Sequence, residues 1–174
     1  MLKHSAIIAL FVFFATAGCA GNRHLTKGGI YESNEAQCFV GDFEPEWVPI
    51  PEVKDAEMAY WNQRLGAVIA VNVTCDDYDD MPTRAMANHL VMGLENRKYD
   101  RWEYRPVDGR QALYGEVEGL LDGVPVKMAA YVIVNNYCSF DLIYHSPPNT
   151  FEEGSRRLEK LASVFKVIRA GRRQ

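Results

Sequence analysis

Apolar and polar residues alternate along much of the middle of the chain, and this alternation predicts β-strands. In residues 67–75, for example, Ile69, Val71 and Val73 occupy every second position, so their side chains share one face of a strand. Turn residues separate the alternating stretches from one another. The predicted strands are one that begins at Cys38, followed by residues 57–65, 67–75, 111–121, 124–134 and 137–145.

Two of the long predicted strands are joined by Asp122-Gly123, a dipeptide that favours a tight hairpin turn. Such a turn places Glu118 directly opposite Lys127, and Tyr114 opposite Tyr131. An opposite-charge pair and an aromatic pair at these positions both stabilise adjacent antiparallel strands. The sequence therefore predicts the hairpin together with its register.

Two other segments have apolar residues three and four positions apart, which predicts helices. The first begins near Met81-Pro82, because proline is tolerated in a first helical turn, and it ends by Asn96. The second opens at Thr150, whose spacing from Glu153 is that of a capping box. The residues that this second helix is expected to bury are Phe151, Leu158, Leu161, Ala162, Phe165 and Ile168.

Several predicted strands carry apolar residues on both faces. One face would hold Tyr131, Ile133, Phe140 and Leu142, and the other would hold Leu113, Val117, Val132 and Val134. A sheet that is apolar on both sides must be covered on both sides. We therefore predict an α+β fold in which one antiparallel sheet lies between two helical layers.

The start of the chain has the parts of a bacterial export signal. A short positive segment precedes the apolar run 6–15, which is too short for a membrane-spanning helix of about 20 residues. The next residues, Thr16-Ala17-Gly18-Cys19, have the pattern of a lipobox, where signal peptidase II cuts before a lipid-bearing cysteine. The alternative is cleavage after Ala17, which would leave a free cysteine near the new N-terminus. We therefore interpret residues 1–18 as a lipoprotein signal peptide and Cys19 as the lipid-attachment residue.

A lipid on Cys19 predicts where the protein resides. Two or three acyl chains anchor a protein durably to a membrane, whereas one chain binds only reversibly. By the sorting rule of Gram-negative lipoproteins, Ala20 after the cysteine predicts the outer membrane of the cell envelope, on its periplasmic side. Residues 19–36 have few apolar groups and are predicted to be a flexible tether, which leaves residues 37–174 as a single folded domain.

Composition and charge narrow the classes of partner. The chain is 48% hydrophobic and 24% charged, as in ordinary globular domains. It has 19 Lys and Arg against 23 Asp and Glu, for a formal net charge of −4. Binding to nucleic acid needs clustered positive charge, so this composition argues against it.

The cysteines indicate a disulfide. With Cys19 lipidated, three remain for pairing, and an exported protein is expected to use a disulfide. Cys75 ends one predicted strand and Cys138 opens another, both on apolar faces, so we predict that these two are bonded. Cys38 is then the unpaired cysteine.

The candidate catalytic residues favour a structural interpretation. Ser139, Asp141 and His145 are the residue types of a hydrolytic triad and share one strand face. At about 3.3 Å per residue, however, His145 is roughly 20 Å from Ser139, far beyond hydrogen-bonding reach. We interpret them as polar, outward-facing strand positions and expect no enzymatic activity.

No metal or cofactor site is predicted either. The acidic run Asp76-Asp77-Tyr78-Asp79-Asp80 lacks the central glycine and late glutamate of a calcium loop, and it fits the start of a helix better. No histidine lies at zinc-binding spacing from a cysteine. His24 and His89 are interpreted as structural residues.

Three segments resemble those of bacterial lipoproteins with a PsbP-like α/β/α sandwich. They are Asp108-Gly109-Arg110-Gln111-Ala112-Leu113, Leu121-Asp122-Gly123-Val124-Pro125-Val126 and Cys138-Ser139-Phe140-Asp141-Leu142-Ile143-Tyr144, within a similarity over about residues 37–168. The resemblance implies a fold that serves for binding or complex assembly, although a fold alone does not determine function. No binding residues of that family can be placed on this chain.

Two classes of function follow from these observations. The first is a non-catalytic envelope lipoprotein that binds a protein partner or helps to assemble a complex. The second is a lipoprotein that carries a small or apolar ligand, and a hydrolase is a distant third. A large apolar cavity would favour the carrier, whereas a flat exposed aromatic patch would favour the protein binder.

Overall fold

A computed structural model describes residues 24–26, 28–51, 56–75 and 82–171 of the chain. The predicted signal peptide, the predicted lipid-attachment residue Cys19 and the acidic run 76–80 lie outside the described residues. These three features therefore stay predictions from the sequence.

The described residues form eleven strands and two α-helices. In chain order they are β1 (His24–Thr26), β2 (Ile30–Glu32), β3 (Ala36–Phe39), β4 (Val48–Pro49), β5 (Met58–Asn62), β6 (Ala67–Cys75), α1 (Thr83–Leu90), β7 (Glu95–Val107), β8 (Arg110–Leu121), β9 (Val124–Asn135), β10 (Cys138–Ser146), α2 (Phe151–Val164) and β11 (Lys166–Ala170). A short 3-10 turn, Pro148–Thr150, leads into α2.

Seven strands form a central antiparallel sheet in the order β4-β5-β6-β10-β9-β8-β7. The hairpin between β8 and β9 has the predicted register, with Glu118 opposite Lys127 and Tyr114 opposite Tyr131. Its turn residues Asp122 and Gly123 both have positive φ, 50° and 79°. Two such residues in succession are typical of the type I′ turn, whose twist matches that of the strands.

Both faces of this sheet are covered by a helix, which confirms the predicted fold class. On one face, α2 packs Leu158 and Leu161 into a core that includes Tyr131, Ile133, Phe140 and Leu142. On the other face, Ala87 of α1 packs against Leu113 and Val132, and the residues after α1 cover Val117. The exception is Val134, which is 40% exposed rather than covered. The two faces are buried separately because successive strand residues point in opposite directions.

The segment predicted to be a tether is part of the fold over its described residues. β1 and β2 lie in a second antiparallel sheet, of order β1-β2-β3-β11. Tyr31 and Ala36 are buried in the main core, Tyr31 to 2% exposure. The prediction of a flexible tether over residues 19–36 is therefore wrong for residues 28–36. Three-residue strands are too short to show a period in the sequence, and they acquire partners only from distant residues.

A long strand replaces the end of the first predicted helix. α1 stops at Leu90, and β7 begins at Glu95 and runs for 13 residues along the edge of the main sheet. The prediction extended the helix to Asn96, because Val91 and Leu94 keep helical spacing. These two residues are buried, but they lie in the connection between α1 and β7.

The second helix also ends earlier than predicted. Phe165 is buried at the end of α2, whereas Ile168 lies in β11 and is 52% exposed. β11 pairs with β3, with Val167 opposite Cys38. The Thr150–Glu153 capping box is absent, since Thr150 makes no side-chain cap hydrogen bond. Its hydroxyl donates instead to the carbonyl of Leu65, at 2.7 Å.

Cys75 and Cys138 are joined by a disulfide bond, the pair predicted from the sequence, with an S–S distance of 2.11 Å. They lie opposite each other at the ends of β6 and β10. Cys38 is a buried free thiol, and burial, reinforced by the charge of Glu57, raises its pKa to about 12. It is therefore a weak nucleophile at neutral pH.

Candidate protein-binding surface

The structure brings together two of the three residues considered for a catalytic triad. The Ser139 hydroxyl donates a hydrogen bond of 2.8 Å to Asp141, but His145 lies four residues further along the same strand. At about 3.3 Å per residue this separation is roughly 13 Å, so no triad forms. Ser139 and Asp141 are only 4% and 6% exposed, which corrects the prediction that they face outward to solvent.

Asp141 has an unusual environment for a carboxyl group. Burial raises its pKa to about 6, against hydrogen bonds from Ser139 and Asn72 that favour the charged form. Burial also lowers the pKa of His145.

Among the described residues, no group of three or more histidine, cysteine or acidic side chains is arranged to hold a metal ion. Within the same part of the chain, no helix has the length and apolar character needed to cross a membrane.

A row of three aromatic residues on β7 is the most distinctive exposed feature of the described surface. Tyr99 and Tyr104 are 47% and 62% exposed, and Trp102 is half-buried between them. In the register with β8, Tyr99 lies opposite Val117, Trp102 opposite Gly115, and Tyr104 opposite Leu113. This is the face of the sheet that α1 covers nearer its centre. We call Tyr99, Trp102 and Tyr104 the aromatic row.

The central ring of the aromatic row, that of Trp102, is held in place by contacts with β8 and with α1. A Cβ atom on Gly115 would lie 2.4 Å from the Trp102 ring, so only glycine lets the indole lie against β8 at this position. The guanidinium of Arg84, on α1, is 4.5 Å from the centre of the Trp102 ring. Tyr99 extends the row, with its ring centre 5.9 Å from that of Trp102. The Trp102 ring is therefore fixed, and Tyr99 lies beside it.

The opposite face of β7 is fixed by charged contacts. Arg101 pairs with Glu116, which also lies 3.2 Å from Lys127. Burial disfavours the charged form of Glu116, but hydrogen bonds from Tyr114, Arg101 and Lys127 outweigh it and hold its pKa below the usual range. These contacts tie the edge strand to β8 and β9.

A second set of contacts ties β7 to the helix α2. Arg105 donates hydrogen bonds of 2.9 Å to Tyr131 and to Glu159, and its guanidinium lies 3.6 Å from the centre of the Tyr114 ring. The charged groups thus hold β7 from one side while its aromatic groups remain exposed on the other.

The edge of β7 itself is poorly suited to pairing with another strand. Its pairing with β8 is irregular at two places, between Glu95 and Lys98 and between Tyr99 and Arg101. Bulges, charged side chains and a proline, here Pro106, all discourage the addition of a strand to a sheet edge. The addition of another strand at this edge is therefore disfavoured.

The described recesses do not resemble a pocket for an apolar ligand. One, of about 260 Å³, is bordered mainly by charged side chains of α2 and of the segments facing it. Another, of about 230 Å³, includes Lys98 and Glu118. Ligand pockets for apolar molecules are lined mostly by hydrophobic and aromatic groups.

Sequence reasoning missed the aromatic row because it missed β7. A signal was present, since Trp102 and Tyr104 alternate with Arg101, Glu103 and Arg105. The irregularity between Tyr99 and Arg101 interrupts this alternation, however, and only the pairing with β8 shows that the three rings share one face.

Comparisons with known proteins identify the fold. No protein-family model matches the chain, and no curated protein matches its sequence. Solved structures do match. Cyanobacterial PsbP (CyanoP) of Synechocystis is 16% identical with a TM-score of 0.55, and the match covers 87% of this chain and 95% of that one. The Ran-binding protein Mog1p of Saccharomyces cerevisiae is 15% identical with a TM-score of 0.56, over 86% and 97% of the two chains. LpqN of Mycobacterium tuberculosis, involved in cell envelope biogenesis, is 10% identical with a TM-score of 0.53, over 72% and 80%.

The fold is therefore an α+β sandwich in which an antiparallel sheet lies between helices. More specifically it is PsbP-like, as the resemblance in the sequence implied. At these sequence identities the similarity establishes the fold alone. The function has to be argued from the residues of the site.

Proposed function

We propose that this protein is a non-catalytic binding module of the bacterial cell envelope, tethered through lipid on Cys19, and that it binds a partner protein on the aromatic row. The observation that carries the proposal is the exposure of Tyr99 and Tyr104 beside a fixed Trp102. Tyrosine and tryptophan are enriched where interfaces gain most of their binding energy. Because the Trp102 ring is already held in place, binding would cost little ordering of that side chain.

The competing functions have less support in the described part of the molecule. A carrier of apolar ligands would need an apolar cavity, and the two recesses described above carry charged side chains. A hydrolase would need a nucleophile near a base, and Ser139 instead donates its hydrogen bond to a buried carboxyl group.

The names of two structural neighbours are in keeping with this proposal. Mog1p is a Ran-binding protein, and LpqN is involved in cell envelope biogenesis. They share only the fold with this chain, so the proposal depends on the aromatic row and not on them.

Site-specific cross-linking in the native host tests the proposal. A photo-cross-linking amino acid at position 104 should give an adduct with one discrete protein. The matched control is position 137, because Tyr137 is 58% exposed, close to the 62% of Tyr104, but lies in the turn between β9 and β10. No discrete adduct is expected there.

Substitution then tests whether the rings supply binding energy. Tyr99→Ser with Tyr104→Ser should weaken the affinity for the cross-linked protein at least about tenfold, the loss expected when a central aromatic contact is removed. Tyr137→Ser should leave the affinity unchanged. Equal binding by both variants, or equal cross-linking from positions 104 and 137, would show that the aromatic row is not the binding surface.

A further inference from the structure

The recess of about 260 Å³ is separate from the aromatic row and lies on the side of the sheet that α2 covers. One wall is the side of α2 that includes Gly154 and Arg157. The others are residues 44–47, before β4, and residues 62–65, at the turn between β5 and β6. It is therefore a cleft between three segments that are distant in sequence, in a part of the core fixed by packing.

The floor of the recess is rigid. Trp47, Asn62 and Leu65 line it and are 5%, 2% and 5% exposed. Asn62 accepts a hydrogen bond of 3.2 Å from the backbone of Leu65, which fixes the turn. On the helical wall, a Cβ atom on Gly154 would lie 2.1 Å from the Tyr144 hydroxyl oxygen, so glycine lets α2 approach the sheet this closely. The recess is therefore formed in the absence of a ligand.

The charge of the lining is opposite to that of the chain as a whole. Four cationic side chains, Arg64, Arg156, Arg157 and Lys160, face three carboxylates, Glu44, Glu46 and Glu153. The chain has a formal net charge of −4. The lining therefore has one more positive than negative charge, and an excess of positive charge in a cleft favours an anion over a cation.

The lining also contains a buried arginine whose hydrogen bonds are incomplete. Arg157 is 7% exposed and donates through Nη2 to the carbonyl of Asp42, at 3.0 Å, while its Nε lies 2.7 Å from Glu44. Its buried Nη1 has no acceptor among the described residues, and the buried Oε2 of Glu44 has no hydrogen-bond donor there either. Arg156 is exposed, and its charge acts on the nearby Glu153. An arginine with incomplete hydrogen bonds at a recess is a group whose charge an anion can pair with.

The carboxylates that are present occupy the remaining cations. Glu44 pairs with both Arg157 and Lys160, and Glu153 lies 2.6 Å from Arg64. Because Arg64 and Glu153 are 67% and 57% exposed in their side chains, their ion pair is open to competition from solution. An incoming oxyanion would meet Arg156, and it would compete with Glu44 for Lys160 and with Glu153 for Arg64.

We propose that this recess is a binding site for a small oxyanion, namely a carboxylate or phosphate group of a ligand that fits within about 260 Å³. The proposal is independent of the aromatic row, because the two sites lie on opposite sides of the sheet and share no residue. The failure of one proposal therefore leaves the other intact.

Calorimetric titration of the full-length protein at low ionic strength tests the site, with inorganic phosphate and glutarate as separate probes. At least one probe should bind saturably at one site per chain and be weakened by added salt. Binding of phosphate alone would identify a phosphate-bearing ligand, and binding of glutarate alone a carboxylate-bearing one.

Two substitutions should change the affinity in opposite directions. Arg156→Gln removes a cation and should weaken binding about fivefold, the scale of one accessible ion pair. Glu153→Gln removes the competitor for Arg64 and should strengthen binding by a similar factor. The matched controls are Lys166→Gln and Glu152→Gln, which change the same charges at exposed residues outside the recess and should shift the affinity less than twofold.

The result can overturn the proposal in two ways. The first is that neither probe shows saturable binding. The second is that the control substitutions change the affinity as much as Arg156→Gln and Glu153→Gln do. The second outcome would mean that the overall charge of the protein, and not the recess, attracts the anion.

Discussion

At the scale of single residues, the most consequential side chain is the buried carboxyl group of Asp141. It is 6% exposed on β10, and its hydrogen-bond partners among the described side chains are the neutral groups of Ser139 and Asn72. Burial removes water from the charged form of Asp141. The hydrogen bonds from these two neutral groups compensate only in part for that loss. This explains why its pKa rises to about 6.

The raised pKa predicts how stability changes with pH. Between the unfolded value of 3.8 and the folded value of about 6, the folded state binds more protons than the unfolded state. Stability must therefore fall as the pH rises through this window, and the full penalty remains above it. Asp141→Asn removes the charge and keeps an acceptor for Ser139. This variant should be more stable than the wild type by about 1–3 kcal/mol at pH 7.5, with the advantage vanishing near pH 4.

Urea unfolding at pH 4 and pH 7.5 measures this difference. Asp122→Asn, in the exposed turn between β8 and β9, controls for the loss of one negative charge. An advantage of Asp141→Asn that is the same at both pH values would show that Asp141 is not the group responsible.

At the scale of elements, the small sheet integrates the start of the described chain into the fold. β2 pairs with β3, which pairs in turn with β11. Tyr31, on β2, is buried and donates a short hydrogen bond to Glu57. Arg169, on β11, donates to the carbonyls of Ser33 and Asn34 at 2.7 and 3.1 Å. The two ends of the described chain therefore stabilise each other.

Removal of this segment should reveal its contribution. A variant that lacks residues 1–36 loses the strand pairing of β2 and the burial of Tyr31, and the burial alone is worth about 2 kcal/mol. It should unfold at a clearly lower urea concentration than a variant that lacks only residues 1–27. Substitution of Tyr31 by Ala in the longer variant should reproduce part of this loss. If both truncated proteins have the same unfolding midpoint, residues 28–36 contribute nothing to stability.

The elements also show why some were predictable from the sequence and others were not. β8 and β9 have a regular alternation and a two-residue turn, so local rules determine both the strands and their register. β11 continues the helical spacing of Phe165 and Ile168, and it becomes a strand because β3 offers a hydrogen-bonding edge more than a hundred residues earlier in the chain. Long-range pairing of this kind overrides local propensity.

At the scale of the whole molecule, the disulfide fixes the middle of the main sheet. Cys75 and Cys138 are 63 residues apart in sequence, and they join β6 to β10, between which α1 and three strands intervene. In the chain-entropy account, a loop of this length contributes about 4 kcal/mol to stability. Such a cross-link suits an oxidising compartment, in keeping with the proposed location outside the cytoplasm.

The proposed anchor gives the prediction that concerns the molecule as a whole. Cys19→Ala removes the residue that would carry the lipid, so the protein should lose its acyl groups and leave the membrane fraction, or stay uncleaved. Metabolic labelling with a fatty acid, followed by membrane fractionation, measures both effects. Cys38→Ala is the control, since that thiol is buried in the fold. If Cys19→Ala remains acylated and membrane-bound to the same extent as the wild type, this protein is not a lipoprotein anchored at Cys19.

By itself, the sequence determined the features that depend on neighbouring residues. These are the β8–β9 hairpin with its register, the two apolar faces of the sheet, the helix that begins at Phe151 and the pairing of Cys75 with Cys138. Only the tertiary structure decided the aromatic row and the charged recess. The aromatic row lies on β7, and the irregular pairing of β7 with β8 interrupts the alternation of residues that would have predicted the strand. The recess is formed by three segments that meet only after the chain has folded. Local patterns encode strands, turns and faces, whereas a binding surface is made of residues that packing brings together from distant parts of the chain.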